Sequence, residues 1–183
     1  LLAAPVSYYG SKQYAYTTKA FAAFVLTRAG EAPLAWMQHL SGQQDNMWPS
    51  GRIFLAAAKA LKAGNPAALR ELKEPVLKLN AAKLGYNESL ESTLRNQALL
   101  LMAWSMVAPE DPETGKLCVA LADSITKTSW LTTQDAGMAS MAFGYYLGKT
   151  KLQDKAFTAE LTAAGKKIGE VLNGEPLLLG YSR

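Results

Sequence analysis

The residues able to do chemistry are few and scattered. The one histidine, His39, lies in Trp36-Met-Gln-His-Leu40. A metal site built on it needs carboxylates or a thiolate at ligand spacing, and none stands there. A nucleophile–base pair needs a partner that the spacing does not supply. The expectation for His39 is a helix-surface or hydrogen-bonded core position. The single cysteine, Cys118, sits in Lys-Leu-Cys-Val-Ala-Leu on the apolar stripe of an amphipathic segment. A reactive thiolate needs an electropositive, accessible setting, so a buried and inert thiol is expected. One cysteine excludes an internal disulfide and leaves the redox compartment open.

Two pairs of carboxylates, Glu71 with Glu74 and Glu88 with Glu91, stand three residues apart. On polar faces such pairs read as solvated rather than as an acid and a base. Gly165-Lys-Lys-Ile-Gly169 has neither the pattern nor the strand-to-helix setting of a phosphate loop. Trp36, Trp48, Trp104 and Trp130, with Tyr145 and Tyr146, suit a cleft for carbohydrate or peptide. The competing reading puts Trp36 and Trp104 on helix core faces, and Trp48 and Trp130 at helix entries, stapling them. The second reading is the expectation. No catalytic, cofactor-binding or metal-ligating residue is therefore assigned, and no cofactor.

Of 183 residues, 49% are apolar and 19% charged, enough for a substantial core. The net charge of +4 is mild. Its basic groups, Lys166-Lys167 and the spaced Lys149, Lys151 and Lys155, come with no nucleic-acid motif, so no nucleic-acid partner is expected. The longest apolar run, Ala98 to Val107 with Ser105 inside it, is about half of a bilayer span. No signal peptide is visible. The chain opens at Leu1, which reads as a segment excised from a longer protein.

Periodicity predicts a helix over Tyr14 to Ala29, stopped by Gly30, and a short helix from Pro33 to about Leu40. Ser50 or Gly51 to Ala63 repeats the pattern, stopped by Gly64, with a short helix from Pro66 to about Lys73. Gly30 and Gly64 are 34 residues apart, and Pro33 and Pro66 are 33 apart. In this register Phe21-Ala-Ala-Phe faces Leu55-Ala-Ala-Ala, a weak internal repeat. Residues 74–91 read as a long connection. Then follow helices from Ser92 to Val107, Glu113 to Thr126, and about Thr133 to Leu147. Thr132 is the cap of the last, with Asp135 in the capping-box position.

Leading helices are apolar nearly all round, as in Ala98 to Val107 and Met138 to Leu147. Trailing helices are amphipathic, with Leu117, Leu121 and Ile125 on one stripe. Buried inner helices and half-exposed outer ones make an α/α toroid or a helical solenoid. The fold class is mainly α: helical hairpins of a partial α/α toroid, with a short β segment at the C-terminus. Residues 1–152 form the helical part. In 153–183 the period changes to two at Phe157, Ala159 and Leu161, with turns at Ala164-Gly165 and Asn173-Gly174 and an apolar run at Leu177-Leu-Leu179. This segment begins a following β domain or packs on the helices.

Three strings resemble one family. Trp130-Leu-Thr-Thr-Gln-Asp-Ala-Gly-Met-Ala-Ser-Met-Ala-Phe-Gly-Tyr-Tyr-Leu147 resembles the last helix of the thioester domain of bacterial α2-macroglobulins. Ser92-Thr-Leu-Arg-Asn-Gln-Ala-Leu-Leu-Leu101 is similar to the family's Ser-x-x-Arg-Asp-x-Ala-Leu segment. Ala15-Tyr-Thr-Thr-Lys-Ala-Phe-Ala-Ala-Phe-Val-Leu-Thr-Arg-Ala-Gly30 looks like its Ala-Tyr-Ala-Leu-x-Val-Leu-Ala-x-Ala-Gly helix. The order and spacing fit over about residues 14–165. The resemblance implies a fragment of a broad-spectrum endopeptidase inhibitor that traps proteases, not an enzyme. It implies a periplasmic or cell-envelope site, often as a lipoprotein, and neighbouring β domains of the same chain as partners. A partial ring implies an exposed apolar edge, and hence a dimer of the isolated fragment.

The family's thioester motif is Cys-x-Glu-Gln. Cys118 is followed by Val-Ala-Leu and is not that cysteine, and Asn96 stands where the family has Asp. Either the motif lies upstream of Leu1 or the parent belongs to the thioester-less members. Thr132, Thr133 and Gln134 match the family string and read as cap residues. Two alternatives stand beside this reading. One is a helical-repeat protein-interaction module, although the tetratricopeptide pattern is not matched. The other is an α/α-toroid enzyme, such as a polysaccharide lyase or a terpene cyclase, which needs convergent acids or a catalytic His/Tyr set; aspartate-rich motifs are absent.

Overall fold

The computed structural model describes residues 2–5, 11–72, 91–151, 158–163 and 165–172. The fold is mainly α, with two short strands near the C-terminus. The helices are α1 (Lys12–Arg28), α2 (Leu34–Ser41), α3 (Pro49–Ala63), α4 (Ala67–Arg70), α5 (Thr93–Val107), α6 (Pro112–Lys127) and α7 (Thr133–Thr150). A 3-10 turn at Gln44–Asn46 precedes α3. None of the described helices is long and apolar enough to cross a membrane.

Local chemistry sets the boundaries. The Ser11 hydroxyl accepts from the Tyr14 N–H at 3.2 Å, so α1 starts two residues before the apolar period begins. Ser92 does the same for α5 through the Arg95 N–H at 2.9 Å, and Asp111 for α6 through the Glu113 N–H at 3.0 Å. Gly30 (φ +93°) and Gly64 (φ +66°) end α1 and α3 alike. In both, the next residue's N–H reaches back five positions, from Glu31 to Leu26 and from Asn65 to Ala60. That closure needs a left-handed residue, and glycine takes it without a Cβ clash. The short helix after Pro66 is a single turn, Ala67–Arg70, rather than a run to Lys73.

The helices form two layers. α1, α3, α5 and α7 are neighbours in that order, and α2, α4 and α6 fill in behind them. The neighbours are parallel. Tyr14 meets Trp48, Thr17 meets Gly51 and Phe21 meets Phe54, each step moving one turn along both helices. These pairs lie 34, 34 and 33 residues apart, so the spacing in the sequence is the spacing between adjacent units in space. The ring pairing falls on Phe54 rather than Leu55: Phe21 and Phe24 both pack on Phe54, at 5.0 and 5.6 Å.

Gly51 lets α1 approach. A Cβ there would stand 2.8 Å from Thr17 Oγ1 and 3.0 Å from Thr17 Cα. Buried Ala56, Ala57, Ala58 and Ala60 give α3 equally slim flanks. α5 is shared by two cores. It sends Leu99, Leu100, Ala103 and Trp104 toward α3. It sends Leu94, Ala98, Leu101 and Met102 toward α6 and α7. An all-round apolar helix is the consequence.

α7 departs from the expectation of burial on several sides. Only Ala139 and Ala142 are buried, while Met141 and Leu147 stay 53% and 43% exposed. Among the described residues its packing is mainly on α5, with a lighter contact to α6. The strands β1 (Thr158–Ala163) and β2 (Lys166–Leu172) form an antiparallel hairpin, from Thr158 against Leu172 to Ala163 against Lys166. Gly165 has φ +75° at its tip. Thr158, Glu160 and Thr162 are exposed, in keeping with the period of two. Phe157, the Asn173-Gly174 turn and Leu177–Leu179 lie outside the described residues.

Candidate functional site

A cleft walled by several leading helices lies across the first halves of α1, α3 and α5. Tyr14, Thr17, Thr18 and Phe21 come from α1, Trp48, Ser50 and Phe54 from the start of α3, and Glu91 and Arg95 from the start of α5. It encloses about 330 Å³. Tyr14 and Trp48 meet edge-on at 5.8 Å between ring centres. The Trp48 N–H donates to Thr17 Oγ1 at 3.0 Å, which ties the entry of α3 to α1. The walls are therefore aromatic, and the polar groups gather at the mouth of α3.

Glu91 sits there with a definite task. Its carboxylate accepts from the Ser50 N–H at 3.2 Å and from the Ser50 hydroxyl. Ser50 is in the first turn of α3, where N–H groups lack helical partners and a negative charge is favoured. The reading of Glu91 as a solvated carboxylate is thus corrected: it caps a helix 41 residues away. Glu71 is exposed, and Glu74 and Glu88 lie outside the described residues. The next unit repeats the device. Asp135, in the first turn of α7, accepts from the hydroxyl of Ser92, the cap of α5. Asp135 also accepts from the Thr132 hydroxyl at 2.7 Å, while its N–H donates to Thr132 Oγ1 at 3.1 Å. Thr132 is a cap, as its place in the sequence indicates. Thr133 and Gln134 are exposed in the first turn.

The remaining candidates are dispersed. His39 is exposed on α2, edge-on to Trp36 at 5.6 Å and tilted against Tyr16 at 6.3 Å. Lys19 is almost wholly buried between α1 and α2, and its ammonium lies 5.3 Å over the Trp36 ring. No group of three metal-ligating side chains occurs among the described residues. Cys118 is half-buried on α6 in the second core, and burial pushes its thiol above the ordinary range. Tyr146 lies beside it; burial, then Cys118 and Glu110, push its hydroxyl upward too. Both groups are held protonated, the opposite of what an activated nucleophile needs.

The aromatics do not converge. Trp104 is buried and Trp36 half-buried on α2. Trp48 holds the entry of α3 as expected, but Trp130 is 81% exposed and staples nothing. No described neighbour flanks the start of α7 on that side, so the indole has no surface to cover. The sequence reading missed Tyr14, Phe21, Phe54 and Arg95. The 34-residue offset was the signal that pairs Tyr14 with Trp48. It needed to be read as helix neighbours rather than as a repeat alone.

A second polar junction joins α4 to α6. Arg70 pairs with Asp111 across 41 residues and lies 5.7 Å over the Trp104 ring. The Asp111 carboxyl is held below its ordinary value. The Glu113 N–H is the main cause; burial opposes it, and Arg70 and Lys116 reinforce it. Comparison with family models, with curated proteins and with solved structures found no match.

Proposed function

We propose that this chain is a helical part of the thioester-type domain of a bacterial α2-macroglobulin-like protease inhibitor. What supports the reading is where the resembling strings fall. Residues 15–30 run along α1, 92–101 along α5 and 130–147 along α7, all in the leading layer. A leading layer of parallel helices backed by a second layer is what a segment of an α/α toroid requires. In this reading the chain contributes scaffold to a periplasmic or envelope inhibitor, and its partners are proteases and adjacent β domains. The reactive Cys-x-Glu-Gln motif, if the parent has one, is supplied by another segment.

The test uses the protein that carries this segment. Incubated with a broad endoprotease, it should form a complex that still cleaves small peptides and loses activity on large proteins. Full activity on large proteins with no complex sinks the inhibitor reading. Methylamine then separates the two branches of the family: a mass gain with a new free thiol marks a thioester, and neither marks the thioester-less members. One observation favours a second reading, a helical-repeat interaction module. The aromatic cleft at the starts of α1, α3 and α5 is of ligand-pocket size. If trapping fails, peptide binding that is lost in Phe21→Ala supports that alternative.

A further inference from the structure

We infer that Arg28 and Tyr145 form a clasp that sets the curvature of the leading layer by joining its first helix to its last. Arg28 is the final residue of α1, and Tyr145 lies in the last third of α7. The guanidinium Nη2 donates to the Tyr145 hydroxyl at 3.1 Å, across 117 residues of sequence. The same guanidinium lies 5.8 Å over the Tyr145 ring and 5.9 Å over the ring of Phe24, one turn earlier on its own helix. It is thus stacked on its own helix and extended toward the far one, a planar donor suited to ring faces and to a hydroxyl at once.

The helices that the clasp joins are not packed on each other. Phe21 and Val25 of α1 are each 46% exposed, and Met141 and Leu147 of α7 remain exposed as well. Tyr145 also lines an open groove with Met141, Gly144, Gly148 and Lys149. The starts of successive leading helices are held differently, by the Ser50–Glu91 and Ser92–Asp135 bridges between neighbours. So the layer is fastened step by step at one end and across its span at the other. Releasing the clasp leaves both cores in place: Arg28 is exposed, and loss of the Tyr145 hydroxyl alone keeps its ring packed on the second core. α1 and α7 can then part at their C-terminal ends and widen the groove on α7.

Paired spin labels on the full 183-residue chain test it, at Ala29→Cys and Lys149→Cys in a Cys118→Ala background. The unaltered clasp should give one short distance. Arg28→Met keeps the stem and removes the donor and the charge, and should add a longer component. Tyr145→Phe keeps the ring and loses only the hydroxyl, and should add a smaller one. A distribution in Arg28→Met that superimposes on the parent overturns the clasp, and so does a parent that already shows the long component. If Arg28→Met loses helical circular dichroism, the same distance is read in Tyr145→Phe instead, and no change there overturns the clasp.

Discussion

α5 and α7 look alike as sequences and differ as structures. Both are long and apolar nearly all round, and both begin with a hydroxyl cap. α5 buries ten of its fifteen residues, whereas α7 buries two of eighteen. α5 lies between α3 on one side and α6 and α7 on the other, and α7 has no leading neighbour beyond it among the described residues. Apolar composition states how much surface a helix is able to bury. Its position in the array decides how much it does bury, because burial needs a second surface.

Removing apolar groups from each helix gives the largest contrast. Leu101→Ala should cost about 2–5 kcal/mol, since Leu101 is fully buried and a cavity remains. Leu147→Ala on α7 should cost less than about 1 kcal/mol. Urea unfolding midpoints measure both, and equal losses would mean that α7 is packed as tightly as α5.

Glycine substitutions in a closely packed helix, α3, and in α7 should have opposite signs. Gly51→Ala in α3 forces a methyl against the Thr17 backbone and should cost about 1–3 kcal/mol. Gly144→Ala in α7 meets nothing within 4 Å and should gain about 0.5–1 kcal/mol from helix propensity. A loss at Gly144 in the 183-residue chain would reveal a close neighbour of α7, for instance a second copy.

Asn96 breaks the pattern from inside α5. It is fully buried, and neither amide atom has a protein partner among the described residues. Asn96→Leu, similar in volume, should raise stability by about 1 kcal/mol, read as a higher thermal midpoint. A lower midpoint would mean that the amide is satisfied.

The smallest effect lies at Asp111, where α6 begins. Its folded carboxyl is held low, so its contribution is present above the ordinary carboxylate range and is lost as the pH falls through the folded value. Asp111→Asn keeps a capping oxygen and removes the charge. The variant should be less stable than the parent at neutral pH, and the gap should close as the pH falls through and below the ordinary carboxylate range. A gap that stays constant with pH would remove the charge from the account.

Whatever depends on a few adjacent residues is legible along the chain. Ser11, Ser92, Asp111 and Thr132 cap because a hydroxyl or carboxylate three or fewer positions away reaches an unpaired N–H. Gly30 and Gly64 stop helices because their φ values are open to glycine. The mainly helical class, the 34-residue step and the change to strands followed from periodicity. Tertiary structure alone decided the rest. Glu91 caps α3 from 41 residues away, Lys19 turns its ammonium onto Trp36, Arg28 reaches Tyr145, and Trp130 is left bare. Each of these depends on which helix stands beside which. That follows from packing between surfaces distant in sequence, and no local preference of the residues encodes it.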